Sequence, residues 1–362
     1  MRYWKDVLCV TLLAWSVAGC VELSRETDAP EPEQRGITFP TPLVGTATKA
    51  DTGGALYPQD ESFGIFGIYY PSGSFSGWDR TDGSITYING VEFKYDTGID
   101  DATTGSGAWI SDPVYYWPKG GKMTFAAWSP YSVKPSYEDK FGYSASGLSI
   151  EDFSTGSNGD CDLMYSERAY DKSSSDGGSN TSYDGIDIVF HHALSALRFN
   201  ASTSSQGVKV TITRVVLWGF ARQGCFRENV TEDIDNPASY ASAPSWENLS
   251  DHYTVSDPLV VSGPDFETFI IPQEGAPVKD AGMRVYYTVQ VGNGNPVPAV
   301  SKNLPLLGHT VTGSTDTFDG WKMATRYNYN LLLTDQHQIR FSVNVASWNS
   351  CDEEEDTFTI SD

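Results

Sequence analysis

Cys20 is the residue with the most definite chemistry in this 362-residue chain. It closes Val17-Ala18-Gly19-Cys20, small residues leading into a cysteine. Before it lie Arg2, Lys5 and an apolar run over residues 7–19. That run is too short to span a bilayer and reads as an export signal. Together they make a lipobox pattern in which signal removal leaves Cys20 as the lipidated first residue. Several acyl chains on one residue anchor a protein stably.

Peptide cleavage is the next chemistry on offer. Lys49 stands in Thr48-Lys49-Ala50, a small polar setting open to a trypsin-like protease, and Arg35 is the second candidate. Between the two basic residues, 36–45 (GITFPTPLVG) reads as one strand, with Ile37, Phe39, Leu43 and Val44 as its apolar set. Pro40 and Pro42 cannot donate to a ladder, so the segment suits a sheet edge, the easiest strand to remove. A cut at Lys49 separates this strand, with its lipid, from the rest. A cut at Arg35 detaches the lipid alone.

The remaining reactive groups point to no catalyst. His191 and His192 are neighbours, and on a strand neighbours face opposite ways, so they make a poor metal pair. His252, His309 and His337 are scattered. The sequence holds no HExxH, no GxSxG and no phosphate-cradling Gly loop. The acidic clusters at Asp233, Asp235 and Asn236, and over 352–356, read as a solvated loop and tail rather than calcium ligands. Trp246, in the polar stretch 221–252, is the aromatic residue to test for stacking on sugar rings. Cys161, Cys225 and Cys351 form no CxxC pair and allow at most one bridge. The expectation is a non-enzyme without metal or cofactor. The net charge of −23 excludes nucleic acid as a partner, since nothing basic is concentrated enough to neutralise phosphates.

The elements that must position these residues are strands. The chain holds 20 Tyr, 17 Phe and 10 Trp beside 34 Gly, a mixture that favours β structure. Residues 21–35 are polar and Pro-containing and read as a tether. Ser62 to Tyr70 has strand length, and Asn89-Gly90 between two alternating runs signals a hairpin. A second hairpin is expected from Val114–Pro118 and Met123–Trp128 around Gly120-Gly121. Residues 133–160 and 172–185 read as loops rich in Ser, Gly and Asp. Period-2 alternation returns at Ile186, Ile188 and Phe190, at Val208, Val210 and Ile212, and at Ile339, Phe341, Val343 and Val345. Many short strands with turns between them predict an all-β chain of two tandem β-sandwiches. The expected division is a signal over 1–19, a tether over 20–35, and domains over 36–195 and 196–362.

Read together, these pieces resemble the fimbrillin family, the type V pilins of Gram-negative surfaces. The likeness rests on the lipobox at Cys20, Ile37-Thr38-Phe39 followed by Thr48-Lys49-Ala50, and Tyr115-Tyr116-Trp117-Pro118 with Met123–Trp128. It extends through Asp162–Tyr165, Ile188–Leu194 leading to Arg198-Phe199, Tyr327-Asn328-Tyr329 and Val343–Trp348. These span nearly the whole chain in the family's order. The resemblance implies transthyretin-like, Greek-key sandwiches and a lipidated precursor carried to the outer membrane and the cell surface. It also implies a protease that removes the N-terminal strand, and a vacated groove that takes a strand from another pilin subunit. A ligand on a host or bacterial surface is a further implied partner. Lys49 matches the cut site, although the family's more usual residue there is arginine. The segment 339–345 reads either as the donor strand or as an internal strand of the second sandwich, and 357–360 as the donor tip. As a donor, its four apolar side chains contribute roughly 6–12 kcal/mol before entropy costs.

Overall fold

The computed structural model describes residues 32–45, 55–73, 75, 77–78, 85–99, 107–156, 160–174, 186–233, 236–262, 266–274, 280–310, 317–333, 339–347 and 356–361. Cys20, Lys49, Cys351 and the 175–185 part of the second loop lie outside them. The architecture is all-β, with one short helix at Val133–Tyr137 and a 3-10 turn at Glu138–Lys140.

A nine-stranded sheet organises the first half. Its order is Ala55–Leu56, Leu43–Val44, Val189–His192, Met164–Ser166, Lys122–Ser129, Ser62–Tyr70, Ile85–Asp96 and Ala108–Ser111, with Ala169–Lys172 also on Lys122–Ser129. Ser62–Tyr70 is buried almost throughout, because both faces of the sheet are covered. Phe63 and Ile65 enter one core with Phe93, Trp109 and Phe125. Phe66, Ile68 and Tyr70 enter a second core with Trp128, Ile150 and Phe153. This two-sided burial explains an apolar run without alternation.

The second core is closed by a four-stranded sheet, ordered Ser245–His252, Ala221–Arg227, Gly147–Ser154 and Phe141–Ser144. Two sequence expectations are corrected here. Residues 141–154 are strands rather than loop, with Ile150 and Phe153 fully buried. Residues 221–252 are likewise largely strand. The division at 195/196 cuts across this sheet, since Ala221–Arg227 pairs with Gly147–Ser154.

The second half is a sandwich. One sheet runs Glu267–Ile270, Ser195–Thr203, Thr325–Leu333, Ile339–Ser347 and Asp356–Ser361. The facing sheet runs Leu259–Val261, Val208–Trp218, Gly282–Val291 and Val297–Val300, with Leu304–Pro305 also on Gly282–Val291. Their core holds Leu197, Leu217, Met283, Tyr329, Leu331 and Val343.

Both expected hairpins are also corrected. Ile85–Asp96 is one strand, and Gly90, at φ +65°, forms a bulge opposite the step from Ile65 to Phe66. Tyr116–Pro118 does not pair with Lys122–Ser129. It pairs with Pro32–Gly36, so the Gly120-Gly121 turn passes between sheets.

Candidate functional site

The N-terminal segment 32–45 is two short pieces joined across a core, not the single edge strand expected. Pro32–Gly36 pairs antiparallel with Tyr116–Pro118, so strand structure is present inside the expected tether and Arg35 lies in a strand. Ile37 then donates to Tyr115 O at 2.7 Å. Phe39 exchanges both bonds with Trp109, N to O at 3.0 Å and O from N at 2.9 Å. After Pro40 and Pro42 the chain reaches the other side of the sheet. There Leu43 donates to Ile188 O at 3.0 Å and Gly45 to Phe190 O at 2.8 Å.

The prolines fit this path. Donors fall on odd-numbered residues, so positions 40 and 42 face away from both partners and lose nothing by lacking an N–H. Pro42 still accepts from Tyr57 N at 3.0 Å. Leu43–Val44 is not the last strand either, since Ala55–Leu56 lies outside it.

Ile37 and Phe39 are fully buried. Phe39 meets Phe63, Phe93 and Phe125 edge to face at 5.8, 5.0 and 5.7 Å between centroids. Leu43 and Val44 are only half-buried, while Pro42 is buried. The inward set is thus Ile37, Phe39 and Pro42. The crossover between two sheet edges turns the chain there, so the alternation inferred from one straight strand does not carry past Phe39.

Tyr57 and Trp109 line the seat and carry no local signal of it in the sequence. Tyr57 contacts Phe63, Trp109 and Phe190. Its hydroxyl lies 2.7 Å from Ser129 Oγ and donates to Ser62 O at 3.1 Å. Burial raises the pKa of that phenol well above its ordinary value. Trp109 is fully buried and its indole N–H has no hydrogen-bond acceptor. Taking 32–45 away would uncover this aromatic floor. It would also leave Trp109 N and O, Tyr115 O, Ile188 O, Phe190 O and Tyr57 N without their partners. What the seat offers is strand addition: apolar burial and backbone pairing restored together.

The other end of the chain is equally specific. Ile339–Ser347 is interior, paired with Thr325–Leu333 on one side and Asp356–Ser361 on the other. Val343 is fully buried and Val345 half-buried. The side chains of Ile339 and Phe341 lie outside the described residues. The outer strand there is Asp356–Ser361, which has no second ladder partner among the described residues, with His309–Thr310 and Leu304–Pro305 close by.

The remaining candidates have structural places. His191 faces Glu167 at 3.5 Å and His192 faces Asp162 at 3.0 Å. No group of three possible metal ligands occurs among the described residues. Trp246 is half-buried. It packs on Phe153 and Phe226 and donates to Ala193 O at 2.7 Å. Cys161 and Cys225 are free thiols.

Fold and site together define an all-β protein whose first core is completed by an N-terminal strand laid across it. The fimbrillin-like family matches residues 48–348, and the chain belongs to that family. No curated protein matches it. Among solved structures, the chain is similar to a fimbrial protein from Bacteroides vulgatus. That pair is 15% identical with a TM-score of 0.45, over 85% of this chain and 99% of the other. It is also similar to the tip fimbrial protein Mfa3 from Porphyromonas gingivalis, 10% identical with a TM-score of 0.37, over 80% and 95%.

Proposed function

We propose that this chain is a structural and adhesive subunit of a cell-surface pilus. It is exported as a precursor lipidated at Cys20, trimmed after Lys49 and assembled by β-strand exchange. Its partners are a processing protease, other pilin subunits, the outer membrane through the lipid, and a ligand on a host or bacterial surface. One observation carries the reading. Residues 32–45 join the core through Ile37, Phe39, Pro42 and a handful of backbone bonds, and in sequence they stand between Cys20 and Lys49. A single cut at that lysine releases all of them. Arg35 is the weaker cut site, because its bond lies in a ladder and needs local opening first.

The donor in this reading is the C-terminal hairpin of the next subunit. Asp356–Ser361 is its outer strand and offers Phe358-Thr359-Ile360, an apolar pair spaced like Ile37 and Phe39. The 339–345 segment, with Ile339, Phe341, Val343 and Val345, follows only if the hairpin opens.

A second reading is a non-polymerising surface lipoprotein that binds a glycan or host ligand. The complete burial of Ile37 and Phe39 favours it, because a strand so well seated can be permanent. N-terminal sequencing of the surface-exposed form separates the two. A start at Ala50, with ladders on denaturation-free gels after trimming, is the expected result. A persistent lipidated Cys20 and a trimmed chain that stays monomeric at high concentration would sink the pilus reading.

A further inference from the structure

One sheet face stands apart from the acidic remainder. The strands Val208–Trp218, Leu259–Val261, Gly282–Val291, Val297–Val300 and Leu304–Pro305 contain no Asp or Glu, in a chain with 47 acids against 24 bases. Asp257 and Asp280 each fall two residues outside these strands, at the Trp218 end. Asp257 is already held by Arg222 at 2.7 Å.

Alternation sets out the two faces. Val215, Leu217, Met283, Val285 and Tyr287 point into the core. The opposite face carries Lys209, Thr211, Arg214, Arg284, Tyr286 and Thr288, with Val216 and Trp218 buried toward one end and Pro298 and Val300 exposed at the flank. Lys209, Thr211 and Arg214 are exposed. The Arg214 guanidinium lies 4.0 Å from the centre of the Tyr286 ring. Arg284 donates from Nε and Nη2 to Asn303 Oδ1 at 3.0 and 2.7 Å. Both arginines are therefore fixed by neutral partners and keep their charge available. Their nearness, Arg284 first, lowers the pKa of the Tyr286 phenol.

We propose that this face binds a polyanionic glycan, a chain of sulfated or uronate-bearing sugars. Arg214 and Arg284 meet its acid groups, and Thr211, Tyr286 and Thr288 meet its hydroxyls. Charge complementarity argues for an anion, since this is a cationic island on a molecule of net charge −23. Surface chemistry argues for a sugar over a protein. The face is flat and rich in hydroxyls, Tyr286 is covered by Arg214, and no aromatic side chain stands free as an anchor for a partner's pocket. A second copy would also bring a like net charge. The inference stands apart from pilus assembly, which the N-terminal sequencing and ladder measurements read.

The test is retention of the full chain on immobilised chondroitin sulfate, with hyaluronan as the carboxylate-only arm and dextran as the neutral control. Retention on either anionic matrix, lost on raising salt and absent on dextran, is expected. Arg214→Ser with Arg284→Ser should weaken it by about tenfold or more, at unchanged melting temperature. Thr211→Glu leaves both arginines in place and should weaken it as well. The proposal is overturned by equal retention of these variants, by no retention at low salt, or by wild-type dimers that the arginine variant abolishes in sedimentation.

Discussion

At Phe39 three phenyl rings meet edge to face, and no water reaches the side chain. Phe39→Ala should cost the untrimmed chain about 3–5 kcal/mol, read as a lower urea midpoint at unchanged slope. A chain beginning at Ala50 lacks the residue and sets the baseline. If F39A leaves the midpoint of the untrimmed chain unmoved, the seat contributes nothing. Cys161 gives a pH-dependent counterpart. Burial first, then the carboxylates of Asp162, Asp160 and Glu61, push its thiol up to about 12. The folded value lies above the ordinary thiol value of about 8.5. The stabilisation from keeping the thiol neutral is therefore full below about pH 8.5 and is lost as pH rises through about 12. Alkylation of Cys161 at pH 8, followed by peptide mass mapping, should be at least roughly tenfold slower in the folded chain than in urea. Equal rates would contradict the half-buried, neutral thiol.

Among the elements, the two C-terminal strands differ in what they can give up. Val343 is enclosed in the sandwich core between two ladders. Val343→Asp buries an unpaired charge and should unfold the second half, costing more than about 3 kcal/mol. Among the described residues, Asp356–Ser361 is an edge and pairs on one side only. Deleting 356–362 should leave the circular dichroism spectrum of the monomer nearly unchanged while abolishing ladders from a stalk subunit. Ladders that persist would place the donor elsewhere. Gly90 makes a related point. Asn89-Gly90 carries the local signature of a tight hairpin, and Gly90 does adopt positive φ. Yet Ser62–Tyr70 continues beside both halves of Ile85–Asp96, so the same backbone freedom makes a bulge. Local chemistry chose the dihedral, and the neighbouring strand chose its use.

Over the whole molecule, the halves share more than a linker. The sheet joining Gly147–Ser154 to Ala221–Arg227 places Phe226 and Trp246 in the first half's second core. A fragment of residues 36–195 should accordingly fail to fold. Its amide exchange should be unprotected over Phe141–Ser144 and Gly147–Ser154, whereas the full chain protects both. A cooperative melt of the fragment with full-chain protection would show that the shared sheet is dispensable.

The sequence by itself determined the β class and the inward faces of Ile37 and Phe39. These follow from residue type and period-2 alternation, which are properties of neighbours in the chain. It also held the signature of the fimbrillin-like family in ordered, separately weak pieces. Only the tertiary structure decided that 36–45 crosses between sheet edges, that Trp109 and Tyr57 form its floor, and that 221–252 completes the first half. The same holds for Asp356–Ser361, rather than Ile339–Ser347, being the outer strand. Each of these depends on which distant strands pair. Pairing is settled by burying both faces of a sheet at once, and no short window of sequence contains that sum.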